Sequence, residues 1–146
     1  MVAEYAARAG TGAARPWSEI EAACNNANVA DLSAAQRYPG WKAHPCNDGY
    51  IYSAPVGSFA PNAFGLYDML GNVFEWVQDC WHPDYQGAPS DGSAWLTGQS
   101  GDCTQRGLRG GSWFTTPAYV GVAARNRFAE GYRSNTIGFR LVREIE

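Results

Sequence analysis

The sequence predicts an α+β domain dominated by loops, and three observations predict it. Seventeen glycines and eight prolines stand beside only 17% charged residues, a balance that favours short elements and many turns over long helices. Helical patterning is confined to one short stretch near the start. Brief apolar runs at 51–59, 73–77, 108–113 and 137–142 have strand length. At 146 residues and 45% hydrophobic content, the chain is sized for one domain, residues 1–146, with its own core.

In chain order, residues 3–9 (AEYAARA) read as the tail of a helix stopped by Gly10 and Gly12. From Arg15 to Tyr50 the density of Pro, Gly, Asn and Asp predicts ordered irregular backbone. Ser18 and Glu21 form a capping-box pattern there, but no apolar stripe follows Ala23. The stretch from Asp79 to Gly107 is again rich in turns.

A net charge of −3 gives no footprint for a nucleic-acid backbone, so nucleic acid is not an expected partner. No apolar run reaches the roughly 20 residues that span a bilayer, and MVAEYAARAG has no signal-peptide pattern. Cys24, Cys46, Cys80 and Cys103 lie too far apart for a CxxC site. Their simplest pairing, Cys24 with Cys46 and Cys80 with Cys103, would suit a periplasmic or extracellular setting. Other connectivities, or four free thiols, remain open. His44 and His82 have no evident nucleophile and acid beside them in sequence and read as surface or hydrogen-bonded structural residues.

The run Gly65–Trp76, GLYDMLGNVFEW, sets Asp68, a Gly71–Asn72 turn and Glu75 within apolar sequence. Neither carboxylate has a lysine or arginine near it in sequence. A hard cation such as calcium, which takes carboxylate and carbonyl oxygens together, is one solution. The other is a strand with one exposed and one hydrogen-bonded acid.

Several strings, taken in order, resemble one known family. EYAARAG, NAN at 26–28, DGYIYSAPVGSF at 48–59, NAFGLYDMLGNVFEW at 62–76, LRGGSW at 108–113 and IGFRLVR at 137–143 are similar to the formylglycine-generating enzyme, or sulfatase-modifying-factor, family. The resemblance implies a variant of the C-type-lectin fold with a small antiparallel sheet and much irregular structure. It implies one structural calcium between Asp68, Glu75 and the carbonyls of Gly71 and Val73, and a second near Asn28, Val29, Asp48 and Tyr50. The family's N-terminal half has no counterpart in this chain.

Sulfatase-activating members carry two copper-binding cysteines shortly after the RGGS motif. Here Thr115 and the Tyr119–Val120 region stand in their place, and no cysteine follows Cys103. Neither copper nor formylglycine synthesis is therefore expected, and no catalytic residue is assigned. The expected role is a binding or accessory module that takes a protein or small-molecule ligand at a C-terminal face. The residues proposed for that face are Trp113, Phe114, Thr115, Tyr119, Arg125, Arg127, Phe128, Tyr132 and Arg133, a mix of rigid aromatics and arginines suited to recognition. The variable proteins of diversity-generating retroelements end in a similar pattern. Between Phe114 and Thr136 only Glu130 departs from the residue types their mutated codons allow. The alternative role is the C-terminal part of a family oxidoreductase or maturation factor.

Overall fold

The computed structural model describes residues 2–96 and 101–142. The turn-rich positions 97–100 and the last residue of the IGFRLVR motif, Arg143, lie outside the described residues. Helix α1, Val2–Arg8, ends as its sequence requires, because Ala9 and Gly10 turn left-handed at φ 48° and 85°. Glu4 on this helix receives Arg8 one turn on and Arg109 from far along the chain. Burial pushes the Glu4 carboxyl up, but the two guanidinium groups outweigh it and hold it below its usual value.

The segment expected to be irregular contains a 3₁₀ turn, Ile20–Ala22, and helices α2, Ala23–Asn26, and α3, Leu32–Arg37. Glu19, not Ser18, precedes the 3₁₀ turn, and no side chain caps it. The capping side chain is instead Asp31, whose Oδ1 accepts from Ala34 N at 2.8 Å and starts α3.

The sheet has the order β3-β2-β1-β4. Strands β1, Phe74–Trp81, and β2, Asp102–Arg109, pair antiparallel, as do β2 and β3, Arg125–Ala129. Strand β4, Ile137–Gly138, pairs parallel with Phe74 and Glu75, so the sheet is mixed and not purely antiparallel. The β1–β2 register shifts between Trp76 and Cys80 and again before Trp81. Both disulfides form, Cys24–Cys46 and Cys80–Cys103, and the second crosses the bulged end of this strand pair.

One expected strand is missing and one strand was not expected. Residues 51–59 form no strand, because Ala54 there gives its backbone groups to the Asn72 side chain instead of to a ladder. Residues 125–129 form one although their polar sequence, RNRFA, hides it. The strand expected at 108–113 ends at Arg109, and that expected at 137–142 is paired only at 137–138.

The core joins α1, α2 and the loops to one another. Ala7, Trp17, Ala23, Ala27, Val29, Met69, Leu70, Val120 and Val122 pack together. Its many alanines let backbones approach closely, and the closest approach is at Gly71. At φ 79° the backbone passes so near Asn28 that a Cβ on Gly71 would lie 2.3 Å from the Asn28 carbonyl oxygen. Gly71→Ala should therefore cost about 3 kcal/mol in urea unfolding, against about 1 kcal/mol for Gly87→Ala, where φ is also positive but the space is open. Equal losses at the two positions would refute the close-packing account.

Candidate functional site

Three groups of side chains have the chemistry of a site, and loops together with strands β1 and β3 position them. The first surrounds Asp31 and Asp48. Asp31 is fully buried; its Oδ1 accepts from Ser33 Oγ as well as Ala34 N, and its Oδ2 accepts from Asp48 N at 2.8 Å. Asp48 in turn accepts from Val29 N at 2.9 Å and Tyr50 N at 2.8 Å. Oxygens of both carboxylates and Sγ of Cys24 lie within 4.8 Å of one another, and Cys24 is tied up in its disulfide. Burial pushes the Asp48 carboxyl up to about 6, against the downward pull of its backbone donors and with Asp31 adding to the rise. Asn28 Oδ1 is buried without a hydrogen-bond partner. Of the expected calcium ligands, Asn28, Val29, Asp48 and Tyr50 thus come together, and Asp31 joins them. Sequence reading missed Asp31, although a helix cap at ADLSAAQR was the available signal.

The second group is Asp68 and Glu75. Asp68 takes φ 53°; its Oδ2 accepts from Gly57 N at 2.7 Å, and its Oδ1 is buried without a partner. Glu75 has an arginine after all, contributed from 65 residues away. Arg140 Nε lies 3.0 Å from both Glu75 oxygens and Nη2 lies 2.7 Å from Oε1. The same Nη2 reaches the carbonyls of Tyr67 and Asp68 at 2.9 and 3.2 Å. A guanidinium thus stands beside the Glu75 carboxylate, where a metal ion was expected, and takes the carbonyls of Tyr67 and Asp68, not the expected Gly71 and Val73. Gly71 and Val73 lie in the intervening turn, and Gly71 N donates to Gly110 O.

The proposed ligand residues fall into three places, not one face. Trp113 and Phe114 belong to an aromatic cluster that sequence reading did not assemble. Trp41 stacks on Tyr38 with centroids 4.3 Å apart, Phe114 meets Trp41 edge-on at 4.6 Å, and Tyr52 meets Trp113 edge-on at 5.1 Å. The Tyr38 and Tyr52 hydroxyls are 3.0 Å apart. Phe114 and Tyr52 are half exposed, whereas Trp113 is buried. Arg125 and Arg127 sit over the Trp81 ring, and Arg125 also covers Tyr85, which commits both to cation–π contacts. Phe128 stacks on Tyr132. Tyr132 and Arg133 line an open groove of about 850 Å³ with Trp76, Gln78, Arg106 and Phe139. Tyr119 is exposed and lines neither the groove nor the aromatic cluster.

Where the resemblance placed thiols, Thr115 is buried and its Oγ1 accepts from Ser112 N at 2.9 Å; of the Tyr119–Val120 region, Val120 lies in the core and Tyr119 is exposed. Both histidines are buried, not on the surface. His82 stacks on Trp95 with its Nδ1 3.0 Å from the Cys80 carbonyl oxygen, and His44, held near the Ile20 carbonyl, has its proton affinity lowered by burial.

Comparison with known proteins fits this geometry. The family described as "Sulfatase-modifying factor enzyme 1-like domain" matches residues 3–145. The formylglycine-generating enzyme of Mycobacterium tuberculosis is 32% identical over 95% of this chain and 48% of its own. The structure of PvdO from Pseudomonas aeruginosa is 42% identical with a TM-score of 0.77, over 94% of this chain and 48% of that one. Treponema denticola variable protein 1 is 28% identical with a TM-score of 0.65, over 94% and 43%. The chain spans about half the length of these relatives.

Removing Arg140 leaves Glu75 and two carbonyls without their donor. Since Arg140 is about a third exposed, Arg140→Met should cost about 2 kcal/mol, less than a fully buried pair. The double variant with Glu75→Gln should recover part of that loss in denaturant unfolding. Strict additivity would mean that the pair carries no coupling.

Proposed function

This chain belongs to the sulfatase-modifying factor enzyme 1-like family, and from that premise we propose that it works as a calcium-stabilised binding or accessory module and not as a copper oxidase. The observation that carries this reading is what stands where the resemblance placed thiols. Thr115 offers a hydroxyl already engaged by Ser112, and the Tyr119–Val120 region offers a phenol and an aliphatic side chain, where Cu(I) would need soft thiolates. Next to them the Trp113–Phe114 pair continues into Tyr38, Trp41 and Tyr52, which gives rigid apolar rings with hydroxyl handles for a ligand. The likeness to Treponema denticola variable protein 1 supports a binding role of the retroelement variable-protein type.

Calcium is a structural part of the reading. At the second site the residues fit a hard cation, with the buried Asp31 and the half-buried Asp48 carboxylates 17 residues apart in sequence, the unpartnered Asn28 Oδ1, and the carbonyls of Val29 and Tyr50 close by in the chain. At the first, Asp68 Oδ1 fits, but Glu75 is already neutralised by Arg140. We therefore assign the stronger calcium site to Asn28, Val29, Asp31, Asp48 and Tyr50, and the weaker to Asp68, Gly71, Val73 and Glu75. A bound ion would neutralise the acids and pin loops that have few ladders of their own.

The second reading is part of a larger oxidoreductase or maturation factor. It is favoured by the 32% identity to the formylglycine-generating enzyme of Mycobacterium tuberculosis and by the groove lined by Arg106, Glu130 and Arg133, which could hold a substrate.

Two measurements test the proposal. Calcium at a hundredfold excess over its Kd should stabilise the protein by about 2.7 kcal/mol, raising Tm by several degrees, and Asp48→Asn should abolish the rise. A Tm indifferent to calcium removes the metal from the reading. Incubated with Cu(I), oxygen and a cysteine-containing peptide, the protein should yield no aldehyde detectable with a hydrazide reagent; aldehyde formation would overturn the non-oxidase assignment.

A further inference from the structure

The two disulfides close loops of nearly equal length, with sequence separations of 22 and 23, but differ in exposure and in their neighbours. Cys24 is buried, Cys46 packs against the core, and Sγ of Cys24 lies within 4.8 Å of the Asp31 and Asp48 carboxylates. Cys80 is buried as well, but Arg106 Nη1 approaches its Sγ at 3.4 Å, and its partner Cys103 is exposed.

Thiol–disulfide exchange needs one sulfur that a thiolate can reach and another that can leave as a thiolate. A neighbouring cation lowers the pKa of the leaving thiol, and a neighbouring carboxylate raises it. Cys80–Cys103 meets both needs, with Cys103 reachable and Cys80 beside a guanidinium. Cys24–Cys46 is less open to attack, since Cys24 is buried and Cys46 packs half-buried against the core.

We propose that the Cys80–Cys103 bridge is a thiol-exchange site that accepts a small thiol at Cys103 Sγ and releases Cys80 as a thiolate held by Arg106. In this step the electron pair of the incoming thiolate forms a new S–S bond to Cys103. The Cys80–Cys103 bond breaks and its pair stays on Cys80, so a mixed disulfide replaces the bridge with no net oxidation. A second molecule of the thiol, attacking the mixed disulfide at the reagent's sulfur, leaves the protein dithiol and the reagent's own disulfide, the reagent supplying both electrons.

The exchange acts on more than one strand end. Arg106 also donates to Gln78 O at 2.9 Å and pairs with Glu130 at 3.5 Å, and all three residues line the 850 Å³ groove. A thiolate at Cys80 competes for that guanidinium, so opening the bridge alters the groove wall as well as the bulged end of β1 and β2.

The test uses the intact protein with graded glutathione, trapping of free thiols by an alkylating agent, and peptide mass mapping, with and without calcium. Cys80 and Cys103 should become labelled at least about tenfold faster than Cys24 and Cys46, and the glutathione adduct should sit on Cys103. Arg106→Gln should slow opening by about tenfold, and Arg106→Lys should retain most of the rate. Opening of both bridges together, earlier opening of Cys24–Cys46, an adduct on Cys80, or a folded Arg106→Gln variant that exchanges as fast as the wild type would each overturn the proposal. If Arg106→Gln does not fold, the rate ratio and the adduct position in the wild-type protein decide the matter.

Discussion

The left-handed turn at Gly71–Asn72 is the constraint on which the rest of the structure depends. Asn72 takes φ 59°, which a residue with a short polar side chain tolerates, and Gly71 takes φ 79°. From this point Gly71 N donates to Gly110 O, Asn72 N to Asn28 O, and Trp113 N to Asn72 O. The Asn72 side chain then brackets Ala54 through both its amide groups. Three distant pieces of chain, around Asn28, Ala54 and 110–113, are fixed by two residues. Regular ladders are few here, so this hub satisfies backbone groups that a larger sheet would otherwise satisfy.

The hub also explains how loops come to carry the candidate sites. Asn28 accepts the hub's hydrogen bond on its backbone and presents its side chain beside Val29, whose N–H is taken by Asp48. On the other side the chain runs through Val73 into β1 and delivers Glu75 to Arg140. Trp113, bonded to Asn72, anchors the aromatic cluster. One rigid turn thus sets the spacing between an acidic cradle, an ion pair and a patch of rings.

What was legible in the sequence follows from which interactions are local. The stop at the end of α1, the Gly71–Asn72 turn, the first half of β1 and the two cysteine pairings leave compact signatures, and all are present, whereas most of β2 lies in the stretch read as turns. The family and its fold were legible from the order of motifs, as the match over residues 3–145 bears out. Strand β3 was hidden because its residues, RNRFA, pair across the sheet without an alternating apolar pattern. The partner of Glu75 was hidden because Arg140 lies 65 residues away and reaches it through the parallel pairing of β4 with β1. Tyr38, Trp41 and Tyr52 likewise sit in segments with no period to read, and only the tertiary fold gathers them around Trp113 and Phe114. Asp31 shows the reverse case, since its cap signal was local but too short a helix follows it to stand out.

The parallel pairing of β4 with β1 has a consequence for how this chain is made. Glu4 finds its cation at Arg109 and Glu75 finds its own at Arg140, so contacts made early in the sequence wait for residues translated much later. Such long-range closure is entropically slow, and partly exposed strands are prone to adhere to other chains in the interval. A nascent chain halted before Ile137 lacks the strand that covers the β1 edge and the cation that Glu75 pairs with.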